Sequence, residues 1–534
     1  MNSRKSNSRK DNKSYSRSGS KGRNSKFNRS RNFRKDTGYN ADNASSNVDN
    51  YIGSANDLSW YAKYPEMLTA AALVPFVTKP GMHLDTFRYL NKDSESKKIT
   101  YYVPGVCAIH WMPTIGDSTH DNQSPVNIAA YELYSRVRAQ FSGSLKADAP
   151  DFMMYILTLD SIYSLIAFMR RIIGITNKYS IQNQDMPKTY LRACVDTDAQ
   201  AIALYEEVMS NMTYYVGQLN QVIRRATKYT CPDAMDVIRR HFWLSDNVYL
   251  DEPEEMSQSY MFVLDYVFKL VDDESVPGVI NKKLHYVETP TSFSDLLELA
   301  NDLLVAFADW DNAYDIAGYL QKAFPATPSF SCSEVEFSYT VDPVYSEEVL
   351  LQIENSRAFG KVAINSADVV QNVSTNALVQ DLHVTWRKAD LLTMHELNFI
   401  PTINLHSRIP EPAQVVIATR LTPAYVYDHA DNTYEYYKVF TGTELCLTYN
   451  FYTITGSNAW KDDQIWSISV NAPLPAVYDW YMAVEATMSA WHRKPRIMIL
   501  IQDETLVKFK DAISMPWEIH NLTTLTNEDL ANLH

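Results

Sequence analysis

Thirteen Lys and Arg side chains crowd the first 36 residues of this 534-residue chain. They are Arg4, Lys5, Arg9, Lys10, Lys13, Arg17, Lys21, Arg23, Lys26, Arg29, Arg31, Arg34 and Lys35, set apart by Ser, Asn and Gly. A flexible polycation binds phosphates by releasing condensed counterions and needs no base sequence to do so. Tyr15, Phe27 and Phe33 offer rings that can stack on unpaired bases. The pattern points to nonspecific RNA binding, with no architecture for reading base edges. A solvated tail or a localisation signal is the alternative.

The charge is segregated. Residues 1–36 carry a net +11, whereas the remainder has 36 basic against 61 acidic residues, a net -25. A basic tail on an acidic body suggests a nucleic-acid or membrane-surface partner for the tail. The polar linker Thr37 to Asn50 follows, with Asn40-Ala41 and Asn43-Ala44 in it. An asparagine amide can attack its own carbonyl carbon, and a small next residue leaves room for that approach. Asn40 and Asn43 are therefore candidate cleavage points in an accessible segment. A contaminating protease acting on a soft linker is the competing explanation.

Enzymatic motifs are lacking. The sequence has no GxxxxGK, GxGxxG, GxSxG or HExxH. Asp117, His120 and Asp121 could form part of a metal or acid–base site, but a polar loop explains them better. His241, in Arg239-Arg240-His241-Phe242-Trp243, reads as a packed histidine. Cys107, Cys194, Cys231, Cys332 and Cys446 are far apart and form no CxxC pair, which fits reduced thiols rather than zinc or redox chemistry. Neither a metal, a cofactor nor a small-molecule substrate is expected. Asp160 sits among Leu157, Leu159, Ile162 and Leu165. Buried unpaired it would be costly. Arg170 and Arg171 are not at i+4 spacing from it, so they would reach it through a neighbouring chain or a fold-back, or else Asp160 caps or bonds a neighbouring segment.

Several elements must position these groups. Residues 1–50 have too few aliphatic side chains to offset their ordering entropy and read as disordered. As a random coil they would span roughly 40 Å. From 51 to 325 helical patterns dominate. Helices are expected at Pro125 to Ser142, Asp151–Ile173, Asp198–Arg225 and Ser292 to Phe307, the last opened by Ser292 and Asp295 as an acidic variant of a capping box. The apolar stretch Phe152 to Met169 contains Asp160 and reads as a buried helix rather than a membrane span. From 326 to 534 strand patterns prevail. Phe330–Tyr345 alternates, and strand-like runs recur at Gln414–Ala418, Ala424–Asp428, Tyr434–Thr441, Leu445–Thr453 and Gln464–Val470. A helix at Ala476–Met488 and a strand at Arg496–Gln502 follow. The fold class is α+β: a disordered basic arm, a mainly helical shell-like domain and a β-rich region. The 35 tyrosines and 10 tryptophans suit protein interfaces or simply a large core.

Four stretches in order resemble the capsid proteins of picobirnaviruses. They are Asn56-Asp57-Leu58-Ser59-Trp60-Tyr61 with Val74-Pro75-Phe76; Met154-Tyr155-Ile156-Leu157 with Arg170-Arg171-Ile172-Ile173-Gly174; Arg239-Arg240-His241-Phe242-Trp243 with Asn247-Val248-Tyr249; and Pro343-Val344-Tyr345 with Glu347-Glu348-Val349-Leu350. The resemblance implies an intertwined homodimer as building block. Dimers would close into a thin icosahedral shell around double-stranded RNA, with a projecting region outside. It further implies a virion protein assembled in the host cytoplasm, with no stable membrane insertion. Some capsids of the family lose an N-terminal peptide on maturation. A longer apolar tail than the one ending at His534 is also implied, so truncation is expected. A non-viral RNA-binding protein or chaperone with a polycationic tail is the alternative function, and an enzyme with an unrecognised site is a third.

Overall fold

The computed structural model describes residues 106–178, 185–233, 235–250, 259–274, 281–356, 367–387, 411–422, 424–428, 434–440 and 442–454, together with the strands His83–Asp85, Thr100–Tyr102, Thr402–Asn404, Ile465–Val470 and Ile519–Asn521. All of them fall in one unit, Ala72–His534. The helices are α1 (Pro125–Ala139), α2 (Ala149–Lys178), α3 (Asp185–Ala193), α4 (Asp198–Ser210), α5 (Met212–Ala226), α6 (Asp236–Asp246), α7 (Phe293–Ala308), α8 (Asp311–Ala323), α9 (Glu347–Asn355) and α10 (Pro412–Thr419). The expected helix at Ala476–Met488 and strand at Arg496–Gln502 lie outside the described residues.

Helix α2 is apolar all the way round, and a helix of that kind belongs in an interior. Its 30 residues have a mean hydropathy of 1.6 over the most apolar window, and that window is wholly buried. It packs against α1, α3, α5, α6 and α7 and against the strands Ser259–Leu264 and Tyr266–Asp273. Proline in the first turn, at Pro150, costs no hydrogen bond there.

The six-stranded sheet runs Ile465–Val470, Glu444–Ile454, Val106–Pro113, Ser259–Leu264, Tyr249–Leu250, Val344–Tyr345. Val106–Pro113 and Ser259–Leu264 are parallel and buried at every residue, as expected of central strands covered on both faces. Glu444–Ile454 joins Val106–Pro113 antiparallel, with an irregularity between Cys446 and Thr448. The four-stranded sheet Ala377–Gln380, Val369–Asn372, Asn281–Glu288, Tyr266–Asp273 is antiparallel. Both sheets therefore draw strands from each side of the boundary expected at residue 325. The strands before 325 were not expected, because short apolar runs do not distinguish strand from buried helix by period.

The free edge of Ala377–Gln380 is occupied by side chains. Asn127 accepts from Leu378 N (2.7 Å) and donates to Leu378 O (2.9 Å). Ser118 accepts from Gln380 N (2.9 Å) and donates to Gln380 O (3.0 Å).

Three expectations need correction. Asp198–Arg225 is two helices, because Asn211 leaves helical geometry (φ -121, ψ 20) and its amide donates back to Glu207 O at 3.1 Å. Gln414–Ala418 is helical rather than extended. Pro412 opens α10, and Glu411 with Gln414 forms a reciprocal capping box, which outweighs the β-branched Val415, Val416 and Ile417. Of Phe330–Tyr345, only Val344–Tyr345 is strand. The rest crosses α2 and α5 as a strap whose backbone is satisfied by amide side chains. Asn220 accepts from Val335 N (2.7 Å) and donates to Val335 O (3.0 Å), and Asn177 donates to the carbonyls of Phe337 (3.1 Å) and Tyr339 (3.0 Å). Gly174 allows the close approach: a Cβ there would lie 2.8 Å from Val341 N and 2.9 Å from the Tyr339 ring. Several other expected elements are present. Ser292 caps α7 by accepting from Asp295 N, and Ala424–Asp428, Tyr434–Phe440, Glu444–Ile454 and Ile465–Val470 are strands.

Candidate functional site

The described residues gather their most unusual chemistry inside the core, where α2, α6 and the strand Glu444–Ile454 meet. Asp160, facing inward from α2, places Oδ2 2.7 Å from His241 Nδ1. His241 Nε2 lies 3.3 Å from Glu444 Oε1. Arg420, just beyond α10, donates to the other Glu444 oxygen and to the Thr443 hydroxyl. Arg240 stands 3.6 Å from Glu444 Oε1. The ring of Trp111 packs edge-on against His241 at 4.9 Å. Side-chain exposure is 1% for Asp160 and His241 and 3% for Glu444, while Arg240 is 28% exposed.

Electrostatics fixes the charge states. Burial opposes the His241 cation, but Asp160 and Glu444 outweigh it and raise its pKa to about 9. Burial also pushes against the Glu444 anion, yet Arg420, His241 and Arg240 hold it well below the usual carboxylate range. Burial pushes the Asp160 carboxyl up, and His241 offsets part of that. His241 is thus drawn toward its cation between Asp160 and an anionic Glu444, and two guanidinium groups back Glu444. The cluster joins α2, α6, the residue after α10 and the strand Glu444–Ile454.

The neighbouring arginines do related work. Arg170 pairs with Asp246 at 3.2 Å and donates to Ser333 O at 3.3 Å, tying α2 to α6 and to the strap. Arg171 is fully buried. It donates to the carbonyls of Phe262 (2.7 Å), Asn247 (3.2 Å) and Leu244 (3.5 Å). Neither arginine reaches Asp160, whose partner comes from α6. His110 forms a second buried pair, with Asp265 at 2.7 Å, and its far nitrogen lies 2.8 Å from the Asn450 amide.

Asp117, His120 and Asp121 do form a polar loop. His120 Nδ1 is 3.1 Å from Asp117 Oδ2 at an exposed position, and Asp121 enters a single 3₁₀ turn with φ 49. Asp121 accepts from the Thr375 hydroxyl instead of joining the pair. Among the described residues no group of three or more His, Cys, Asp or Glu is placed to hold a metal ion. All five cysteines are free. The thirteen basic residues from Arg4 to Lys35, and Asn40 and Asn43, lie outside the described residues.

The picobirnavirus capsid protein family model matches residues 60–433, well over half of the chain. The chain belongs to the picobirnavirus capsid protein family. A capsid protein precursor from Human picobirnavirus is 31% identical over 314 residues, 57% of this chain and 54% of the relative, so the chain matches about half of that protein's length. An X-ray structure of the picobirnavirus capsid aligns with a TM-score of 0.59 at 23% identity, over 78% of this chain and 83% of that one. At that identity the likeness speaks for the fold, which is the picobirnavirus capsid fold.

In this capsid protein the buried cluster could be read only in part from sequence. Asp160 stood out as an acid in an apolar run, and His241 read as a packed histidine. Glu444 carried the same signal, an acid at the head of the apolar run Leu445, Cys446, Leu447, but that signal went unused. Arg420 gave none, since only the fold brings it to Glu444.

Proposed function

We propose that the chain is the shell subunit of a picobirnavirus particle. Homodimers close into an icosahedral shell in the virion, assembled in the host cytoplasm, and the arm of residues 1–36 holds double-stranded RNA inside. The observation that carries this reading is the charge segregation in a member of this family: +11 on residues 1–36 against -25 on the rest. The acidic body repels RNA and the arm attracts it, without sequence preference. Residues 51–325 would form most of the shell and 326–534 a projecting region whose later elements return to it. The pairing of Glu444–Ile454 with Val106–Pro113 supports that return.

Purified protein is expected to sediment as a dimer or as closed particles at micromolar concentration, with a dimer interface on the order of thousands of Å². A stable monomer would overturn the assembly reading. Without residues 1–36, shells are expected to form but to exclude RNA. RNA retained at wild-type levels would remove the arm from its proposed role.

Processing of the linker belongs to the same reading, because a relative is named a precursor. Asn40 and Asn43 are the proposed cleavage points. Intact-mass measurement of assembled particles should show chains starting at Ala41 or Ala44, absent in the variant combining Asn40→Ala with Asn43→Ala. Particles that keep the full-length chain on long incubation would exclude self-cleavage.

A further inference from the structure

We infer that the Asp160–His241–Glu444 contact is a proton-operated latch that holds the strand Glu444–Ile454 against helices α2 and α6 and loosens in mildly alkaline surroundings. The geometry carries this. One ring faces two carboxylates at once, with Nδ1 hydrogen-bonded to Asp160 at 2.7 Å and Nε2 in ion-pair range of Glu444 at 3.3 Å, outside hydrogen-bond geometry. An imidazolium has two N–H donors and can serve both. A neutral imidazole has one donor and one lone pair, so it can serve only one. Deprotonation therefore turns a lone pair toward a buried anion, whichever tautomer forms.

The surrounding groups decide which side fails. From α2 comes Asp160, whose Oδ1 accepts no hydrogen bond. On its own helix Asp236 and Asp246 each lie five residues from His241, Asp246 paired with Arg170, and Arg240 precedes His241 and leans on Glu444. From beyond α10 comes Arg420, bonded to Glu444 and Thr443. Ahead of α6 lies Cys231, pushed up by burial and by Asp160 and so a neutral thiol. From the strand Val106–Pro113 comes only the Trp111 ring. Asp160 has no other cation in hydrogen-bonding contact, so the neutral ring keeps its N–H on Asp160. Glu444 is left facing the lone pair while Arg420 draws it away, and the seam between α6 and Glu444–Ile454 weakens.

The sign follows from linkage. The folded His241 holds its proton to about 9, above the ordinary value near 6.5. Its stabilisation is fully present below about 6.5 and is lost as pH rises through 9. Glu444, held well below the usual carboxylate range, stays ionised throughout that window and does not reverse the effect.

Hydrogen exchange of the full-length wild-type protein at pH 6.5 and 9.5, corrected for intrinsic exchange, tests the latch. Peptides covering 236–246 and 442–454 are expected to lose about tenfold or more protection relative to a peptide covering Met212–Ala226. Glu444→Gln removes one of the two anions that raise His241 and should move the transition to lower pH. Equal loss of protection in all three regions, or a transition unmoved by Glu444→Gln, would overturn the latch. A Glu444→Gln chain that fails to fold leaves the wild-type comparison decisive alone.

Discussion

Replacing Asp160 by leucine is expected to destabilise the subunit by about 3–5 kcal/mol, the usual cost of removing one partner from a buried ion pair. The leucine suits the apolar run in which Asp160 sits. The cost arises on the other side of the contact, where His241 would keep its burial and lose the anion 2.7 Å away. With only Glu444 to face His241, Arg240 and Arg420, the cluster would carry excess positive charge in a buried site. Combining Asp160→Leu with His241→Phe removes both members of the pair and is expected to restore most of the loss, because a well-packed apolar substitute is often neutral or better. Urea unfolding of the four proteins at one concentration gives the coupling directly. A single-variant cost under about 1 kcal/mol, or a double variant no better than the single, would mean that the contact contributes little.

RNA binding by the full-length protein is expected to collapse with salt. Thirteen cations on residues 1–36 can release up to thirteen condensed counterions. Log affinity should then fall with log salt at a slope approaching roughly -12 on duplex RNA, taking the relation for duplex nucleic acid as a guide. Even if only half the charges find phosphates, affinity should drop about 10³-fold or more between 50 and 200 mM salt. Removing residues 1–36 should flatten the slope along with the affinity, since the remaining chain has a net -25. Filter binding across a salt series checks both. A slope near zero in the intact protein would point to recognition through shape or bases.

The central helix was plain in the sequence because its length and composition agree: a long apolar segment with proline in its first turn. The sequence also marked Asp160 as needing a partner and His241 as packed, without pairing them. Their contact spans 81 positions, and nothing local specifies it. Arg171 shows the same limit. Its partners are backbone carbonyls of Leu244, Asn247 and Phe262, and a carbonyl carries no residue-type signal. Val415, Val416 and Ile417 misled because β-branched composition suggests a strand, whereas the capping groups at Glu411, Pro412 and Gln414 decide for a helix. The strap from Phe330 does have extended character, but its hydrogen bonds go to Asn177 and Asn220 and not to a neighbouring strand.

The amide and hydroxyl that occupy the edge of Ala377–Gln380 bear on fidelity during assembly. An uncovered strand edge is a template on which any second copy can nucleate, and subunits that must crowd together are the molecules most exposed to that hazard. Asn127 and Ser118 take up the outward N–H and C=O of Leu378 and Gln380, so the row of groups that would seed runaway strand addition is already spoken for. A second copy arriving at this edge would have to break four good hydrogen bonds before making any. The edge thereby excludes one class of misassembled product, and it does so with groups carried on the loop before α1 and on α1 itself, the same stretch of chain that follows the central strand Val106–Pro113.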